Sequence, residues 1–320
     1  MTQVTGTQSS YDVNGNREDL SDIIFDVSPS DTPILSAIKK TTATATKHEW
    51  QTDALEAAVA TNAAIEGDEA SFTTPTATTK LDNYTQILTK NAIISGTQAK
   101  GVTHAGIKDM MAYKMERKMK EIKKDAEKSM FGTTHIGNAK VAGNDTTARE
   151  MGSLETYLVT NVHFEAGGAV SAGTGADVMT AGTTPVAFTE ANLTAQLESA
   201  FDEGGDPSML CVSATNQGIV SGSFAGNATR FANTNEASLN TSIKVYEGDF
   251  HTLKVVPCRQ LAGRNVYAID TNYLACADLR PAFSEDLAKT GDAYKKQIIW
   301  ETTLEVCNEK AHVLVADTTG

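Results

Sequence analysis

Long apolar runs are missing from this sequence, and so is a hydrophobic leader. No stretch is apolar for long enough to span a bilayer, and the opening residues are Thr, Gln, Ser and Asn in place of a signal-peptide core; no membrane partner is expected. Cysteine is sparse. Cys211, Cys258, Cys276 and Cys307 are scattered without a C-x-x-C spacing, so neither a zinc knuckle nor a redox pair is signalled, and free thiols in a reducing compartment are expected. Aromatic residues make up 6% of the chain, which suits long strands and loops better than a ligand pocket. Positive charge is short as well: 40 Asp plus Glu stand against 27 Lys plus Arg, a net −13. Such a chain has no general attraction for phosphate, which disfavours a dedicated nucleic-acid binder.

Catalytic signatures are absent too. There is no G-x-x-x-x-G-K-[ST], H-E-x-x-H or G-x-S-x-G. "GTGADVMTAG" (173–182) holds G-x-G but lacks the third glycine of a nucleotide loop. The six histidines are isolated from one another; His251 with Cys258 is the pairing a Cys-dependent hydrolase would need, and that reading is the remote one. Glu66, Asp68 and Glu69 lack the twelve-residue calcium-loop pattern and read as solvated charge. No enzyme activity, cofactor or metal is expected.

What is present is a sequence of distinct segments. Leu20, Ile23, Ile24 and Val27 have helical spacing that ends at Ser28-Pro29. Asp31 or Thr32 is placed to cap a second short helix, with Pro33 at its first position and Ile34, Leu35 and Ile38 buried. A strand over 44–53 and a return strand in "NYTQILTKNAIISG" flank an interval with no Lys or Arg between Lys47 and Lys80. That interval carries Glu49, Asp53, Glu56, Glu66, Asp68 and Glu69. The two strands make a long hairpin that is poorly stabilised alone; a surface loop is the plain alternative.

A helix follows. Met111, Met115, Met119, Ile122, Ala126 and Met130 form one apolar stripe, supported by the pairs Glu116–Lys120 and Asp125–Lys128. Its basic residues are interleaved with acids on every turn, against a DNA-tracking role, and heptads are not sustained, against a coiled coil. A strut laid across a sheet fits best, since methionine fills irregular surfaces. Residues 133–188 are rich in Gly, Thr and Ala. Thr189 caps the next helix and Gly204 ends it; "SMLCVS", two strands in "SIKVYEGDFHTLKVVP" and one in "NVYAIDTNYLACADL" suggest a small α/β unit. In "QIIWETTLEVCN" one face carries Ile298, Trp300, Thr302, Leu304 and Val306, and the other Glu301, Thr303 and Glu305; "HVLVAD" returns as an apolar strand.

"DLSDIIFDVSPSDTPILSAI", "HEWQTDAL", "NYTQILTKNAIISGTQ", the long charged helix and "LRPAFSEDLAKTGDAYKKQIIWETTLEVCNEKAHVLVAD" together resemble a tailed-phage major capsid protein, in particular the family of an Escherichia-infecting phage with an elongated head. The resemblance covers 17–132 and 240–317 most closely. It implies an α+β chain with the Hong Kong ninety-seven-type capsid fold: an N-terminal arm (1–43), an extended hairpin loop (44–97), a peripheral domain (98–132) with a spine helix (104–131), a mainly axial domain (133–280), and C-terminal strands (281–320) returning to the peripheral domain. It implies a subunit of pentamers and hexamers, in an icosahedral or elongated shell that encloses double-stranded DNA without sequence-specific binding. An encapsulin-like compartment is the alternative within that fold. The virion is the expected location, with assembly in the host cytoplasm; a separate scaffold protein, a portal and decoration proteins are the expected partners beside the chain itself. The loop would lie on a neighbour's spine helix, with Glu49, Asp53, Glu56, Glu66, Asp68 and Glu69 facing Lys114, Lys118, Lys123 or Lys124. The 215–240 loop is the candidate ring centre.

Overall fold

The computed structural model describes residues 28–319 except 30, 71, 73, 75, 101–106, 133, 165–166, 225–242 and 263. The helix expected over Leu20–Val27 and most of the candidate ring-centre loop lie outside the described residues. In chain order the strands are β1 (Lys39–Thr42), β2 (Lys47–Thr52), β3 (Thr79–Tyr84), β4 (Gln86–Ser95), β5 (Val162–His163), β6 (Met209–Val212), β7 (Val245–Glu247), β8 (Thr252–Pro257), β9 (Val266–Ile269), β10 (Leu274–Asp286), β11 (Ala293–Val306) and β12 (Val313–Val315). The helices are α1 (Pro33–Ala37), α2 (Gly96–Lys100), α3 (Met110–Met130), α4 (Glu190–Asp202) and α5 (Ala214–Ser223).

The methionine stripe forms α3, 21 residues and about 32 Å long at helical rise. Asp109 caps it, its carboxylate accepting from the N–H groups of Met111 (2.8 Å) and Ala112 (3.1 Å). The described helix therefore begins later than residue 104. Met111, Ile122, Ala126 and Met130 are buried, with Met115 and Met119 packed at the edge of the core. Glu116 and Lys120 pair at 3.1 Å. Asp125 pairs with Lys90 of β4 at 2.5 Å, where the spacing had suggested Lys128; the sheet strand beneath offers a cation that is closer than the next helical turn.

Helix α3 lies on a four-stranded sheet of order β1-β10-β11-β4. The arm contributes β1, parallel to β10 from Lys39↔Ala275 to Thr42↔Asp278. Strands β10 and β11 make the long antiparallel hairpin, and β4 pairs with β11 from Ser95↔Ala293 to Gln86↔Thr302. The segment "NVYAIDTNYLACADL" holds parts of two strands, β9 and β10, not one, because Asp270–Tyr273 turns the chain; the Tyr273 N–H donates to Asp270 C=O at 3.2 Å.

The second sheet has order β5-β12-β9-β6-β8-β7. Its central strands are buried on both faces, and alternate residues enter different cores. Met209, Cys211, Tyr267, Ile269 and Leu314 face the core shared with α1, α3 and the first sheet. Leu210, Val212, Val266, Ala268, Val313 and Val315 face Leu193 and Leu197 of α4 and Val220 of α5. Strand β12 thus belongs to this sheet, so the 281–320 segment is divided: β11 runs beneath α3, while β12 pairs with β9 and β5.

Candidate assembly surface

The hairpin expected over 44–97 has two parts of different character. Its root is fixed. Strands β2 and β3 pair from Lys47↔Tyr84 to Thr52↔Thr79, and the chain then breaks at Thr85 before β4 joins the first sheet. Asn83 holds this break. Its side-chain amide donates to the carbonyls of Gly152 (3.2 Å) and Leu304 (2.9 Å), and its oxygen accepts from the N–H groups of Gly152 (2.8 Å) and Tyr84 (2.9 Å). All its hydrogen-bonding capacity is used in a fully buried site. Trp50 stacks obliquely on Tyr157, ring centroids 5.9 Å apart. The Tyr157 hydroxyl and the Lys140 ammonium both donate to the Asp82 carbonyl, at 2.9 and 3.0 Å. His48 meets Glu305 at 3.1 Å, and this contact draws the Glu305 carboxyl below its ordinary pKa.

The tip is different. Among the described residues of 53–78 none lies in a helix or strand, and all are exposed. Leu55 is 99% exposed, Phe72 94% and Ile65 81%, with Val59 exposed beside them. Four large apolar groups are thus held in water along one short segment.

The expected charge pairs sort unevenly. Glu49 is held within its own ribbon, by Lys47 at 2.9 Å and Lys80 at 2.5 Å. Hydrogen bonds from these two lysines, Lys47 first, lower its carboxyl to about 2. Asp53 and Asp68 each accept from the next residue's N–H, at 3.0 Å. Glu56, Glu66 and Glu69 are exposed. On α3, Lys118 pairs with Glu121 at 2.7 Å and Lys124 donates to the Pro29 carbonyl at 3.3 Å, while Lys114 and Lys123 have no partner among the described residues. Within one chain the structure brings no tip acid to any of these lysines among the described residues.

A second exposed apolar strip lies on the first sheet's face away from α3. Ile87 and Ile93 of β4 and Phe283 of β10 are exposed, and Ile299 of β11 lies between Thr89 and Phe283 in the register. The sequence holds the signal: Ile87 and Ile93 alternate with the buried Leu88, Ala92 and Ile94. Also unforeseen is the setting of Glu301, which alternation placed only on the strand face opposite Trp300 and Leu304. Its side chain is buried between Arg149 (2.6 Å) and Arg280 (2.7 Å), and it accepts from the Thr85 hydroxyl at 2.9 Å.

The motifs weighed for chemistry are held structurally. Cys258 donates to the Val256 carbonyl at 3.5 Å inside the shared core, whereas His251 faces Asp206 at 3.2 Å. In 173–182, Gly175 has φ +77° with its Cα against the Tyr157 ring, leaving no room for a side chain. Among the described residues no group of three or more His, Cys, Asp or Glu is arranged to hold a metal ion.

The family model for the SU10 major capsid protein matches residues 3–319. The chain belongs to that family. This capsid-family chain is also 37% identical over 122 residues to the major capsid protein of Escherichia phage Phieco32. That match spans 38% of this chain and about a third, 34%, of the relative's own length. Among solved structures it is similar to the capsid of a native GTA particle, with TM-score 0.62, 11% identity and complete coverage of both chains. It is similar as well to the cyanophage A-1(L) capsid, with TM-score 0.60, 12% identity and coverage of 98% and 99%. At such identity the likeness shows the fold: mixed α+β, of the Hong Kong ninety-seven type. The resemblance read from the sequence expects a spine helix where α3 lies and an extended loop where β2, β3 and the tip lie.

Proposed function

We propose that this capsid-family chain is the repeating subunit of a tailed-phage head, closing into pentamers and hexamers around packaged double-stranded DNA. Rings arise when a head-to-tail contact closes on itself. The observation that carries the reading is the combination of a rigid root with an exposed tip bearing Leu55, Ile65 and Phe72. A chain that fixes Asn83 with four hydrogen bonds and then extends bare apolar groups into water is organised to place them on a neighbouring copy. A net charge of −13 suits a wall along which DNA slides without being gripped. A separate scaffold protein, portal and decoration proteins, and assembly in the host cytoplasm, belong to the same reading.

Asp53, Glu56, Glu66, Asp68 and Glu69 meeting Lys114 and Lys123 of the adjacent spine helix is the charge pairing this predicts, since Glu49, Lys118 and Lys124 have partners of their own. Exposed pairs contribute about 0–1 kcal/mol each, so they set register and salt sensitivity. The double substitution Glu66→Lys with Asp68→Lys is expected to slow assembly at low ionic strength and to matter little at high salt, where screening removes the repulsion. Sedimentation and electron microscopy of the purified chain with its scaffold check this. Normal shells from the variant at low salt would discard the pairing.

A further inference from the structure

Helix α1 has a peculiar start. Pro33 occupies its first position and has no N–H, so the peptide N–H groups of Ile34 and Leu35 are the next without a partner in the helix. Neither residue expected to cap it does so: Thr32 makes no side-chain cap bond and Asp31 is exposed. The acceptor comes instead from the spine helix. Glu127 Oε2 accepts from the Leu35 N–H at 3.0 Å, and the Ile34 N–H donates to the same carboxyl. Glu127 is fully buried, and its Oε1 has no partner among the described residues.

Among the described residues no countercharge is supplied. From α1 the carboxyl meets the peptide N–H groups of Ile34 and Leu35, whose side chains are apolar and buried. From β6 it is felt by the thiol of Cys211, which burial, the adjacent Cys258 and Glu127 itself all push toward the neutral form. On α3, the neighbouring Lys124 is turned to the Pro29 carbonyl, Asp125 pairs with Lys90, and Lys123 and Lys128 are exposed. Two backbone donors partly hold a carboxylate here, but no lysine, arginine or histidine among the described residues neutralises it.

We propose that Glu127 is a proton-controlled latch for the N-terminal arm: the protonated carboxyl seats α1 on the spine helix, and loss of the proton loosens that seat. This is independent of where a neighbour's loop tip docks. Burial raises the Glu127 carboxyl to about 7, against the lowering effect of the two backbone bonds. A carboxyl raised by docking stabilises the docked state fully below its ordinary range, and that contribution is lost as pH rises through about 7. The arm also carries β1 into the first sheet, so loosening of α1 is transmitted to the edge paired with β10.

Hydrogen exchange of the full-length protein over residues 31–38, corrected for intrinsic rates, tests the latch at pH 5.5 and 8.5. Protection is expected to fall at least about tenfold between the two, within the range a shift of more than one pH unit allows. Glu127→Gln, which keeps an acceptor and cannot ionise, should remove that difference. An unchanged wild-type protection, or the same fall in Glu127→Gln, would overturn the proposal. If that variant does not fold, a carbon-13 titration of the Glu127 carboxyl in the wild type decides: a midpoint near 7 supports the latch, and one at the ordinary carboxylate value ends it.

Discussion

Replacing Leu55, Ile65 and Phe72 together with serine is expected to abolish shell formation and leave the folded subunit intact. The three side chains contribute nothing to the core of their own chain, being 81–99% exposed, so circular dichroism and the thermal midpoint should not move. Fully burying a large apolar side chain contributes about 1.5–3 kcal/mol. Association recovers only part of that; half of the combined value, about 2–4 kcal/mol, weakens each contact by about 30- to 1000-fold. A shell multiplies this penalty over many contacts. Sedimentation velocity should show only small species at concentrations where the parent chain closes. Parent-like shells from the serine variant would remove the tip from the assembly mechanism.

The second large effect concerns the fold. Arg149→Met with Arg280→Met leaves the Glu301 carboxylate in place with 4% of its side chain exposed and only the Thr85 hydroxyl donating to it. Stranding a buried charge in this way costs about 3–5 kcal/mol. The lower half of that range is expected, because Arg280 is itself nearly half exposed and water reaches this end of the network. Urea unfolding should show the loss as a lower midpoint. Adding Glu301→Leu should recover much of it, since an apolar trio in place of the ions removes the desolvation cost. A triple variant as unstable as the double would mean the ion network itself, not the stranded charge, holds β10, β11 and the 149 segment together.

How far the sequence revealed this architecture depended on how local the cause was. The stripe Met111–Met130 forms a helix because its period is set by neighbours three and four residues apart, and Asp109 caps it from the adjacent position. The β7–β8 hairpin was legible for the same reason. Distance along the chain hid the rest. Glu127 caps α1 from 92 residues away, so the local candidates Asp31 and Thr32 looked sufficient. Glu301 and Thr303 alternate with apolar residues, and nothing local showed that both are buried, Glu301 between Arg149 and Arg280 that arrive from other segments. The apolar "HVLVAD" fits either sheet by composition; its place follows from the pairing of β12 with β9. At the assembly surface, the acidity of 49–69 was plain, but the ribbon's own lysines claim Glu49. The exposed apolar groups proposed to make the contact were hidden among alanines and threonines.

Hydrogen–deuterium exchange over residues 53–78, compared between the unassembled chain and closed shells, addresses the central claim most directly. The segment has no helix or strand among its described residues and is exposed in the single chain, so its amides should exchange rapidly before assembly and become strongly protected within shells, while those of α3 change little. Equal, rapid exchange of 53–78 in both states would contradict the account.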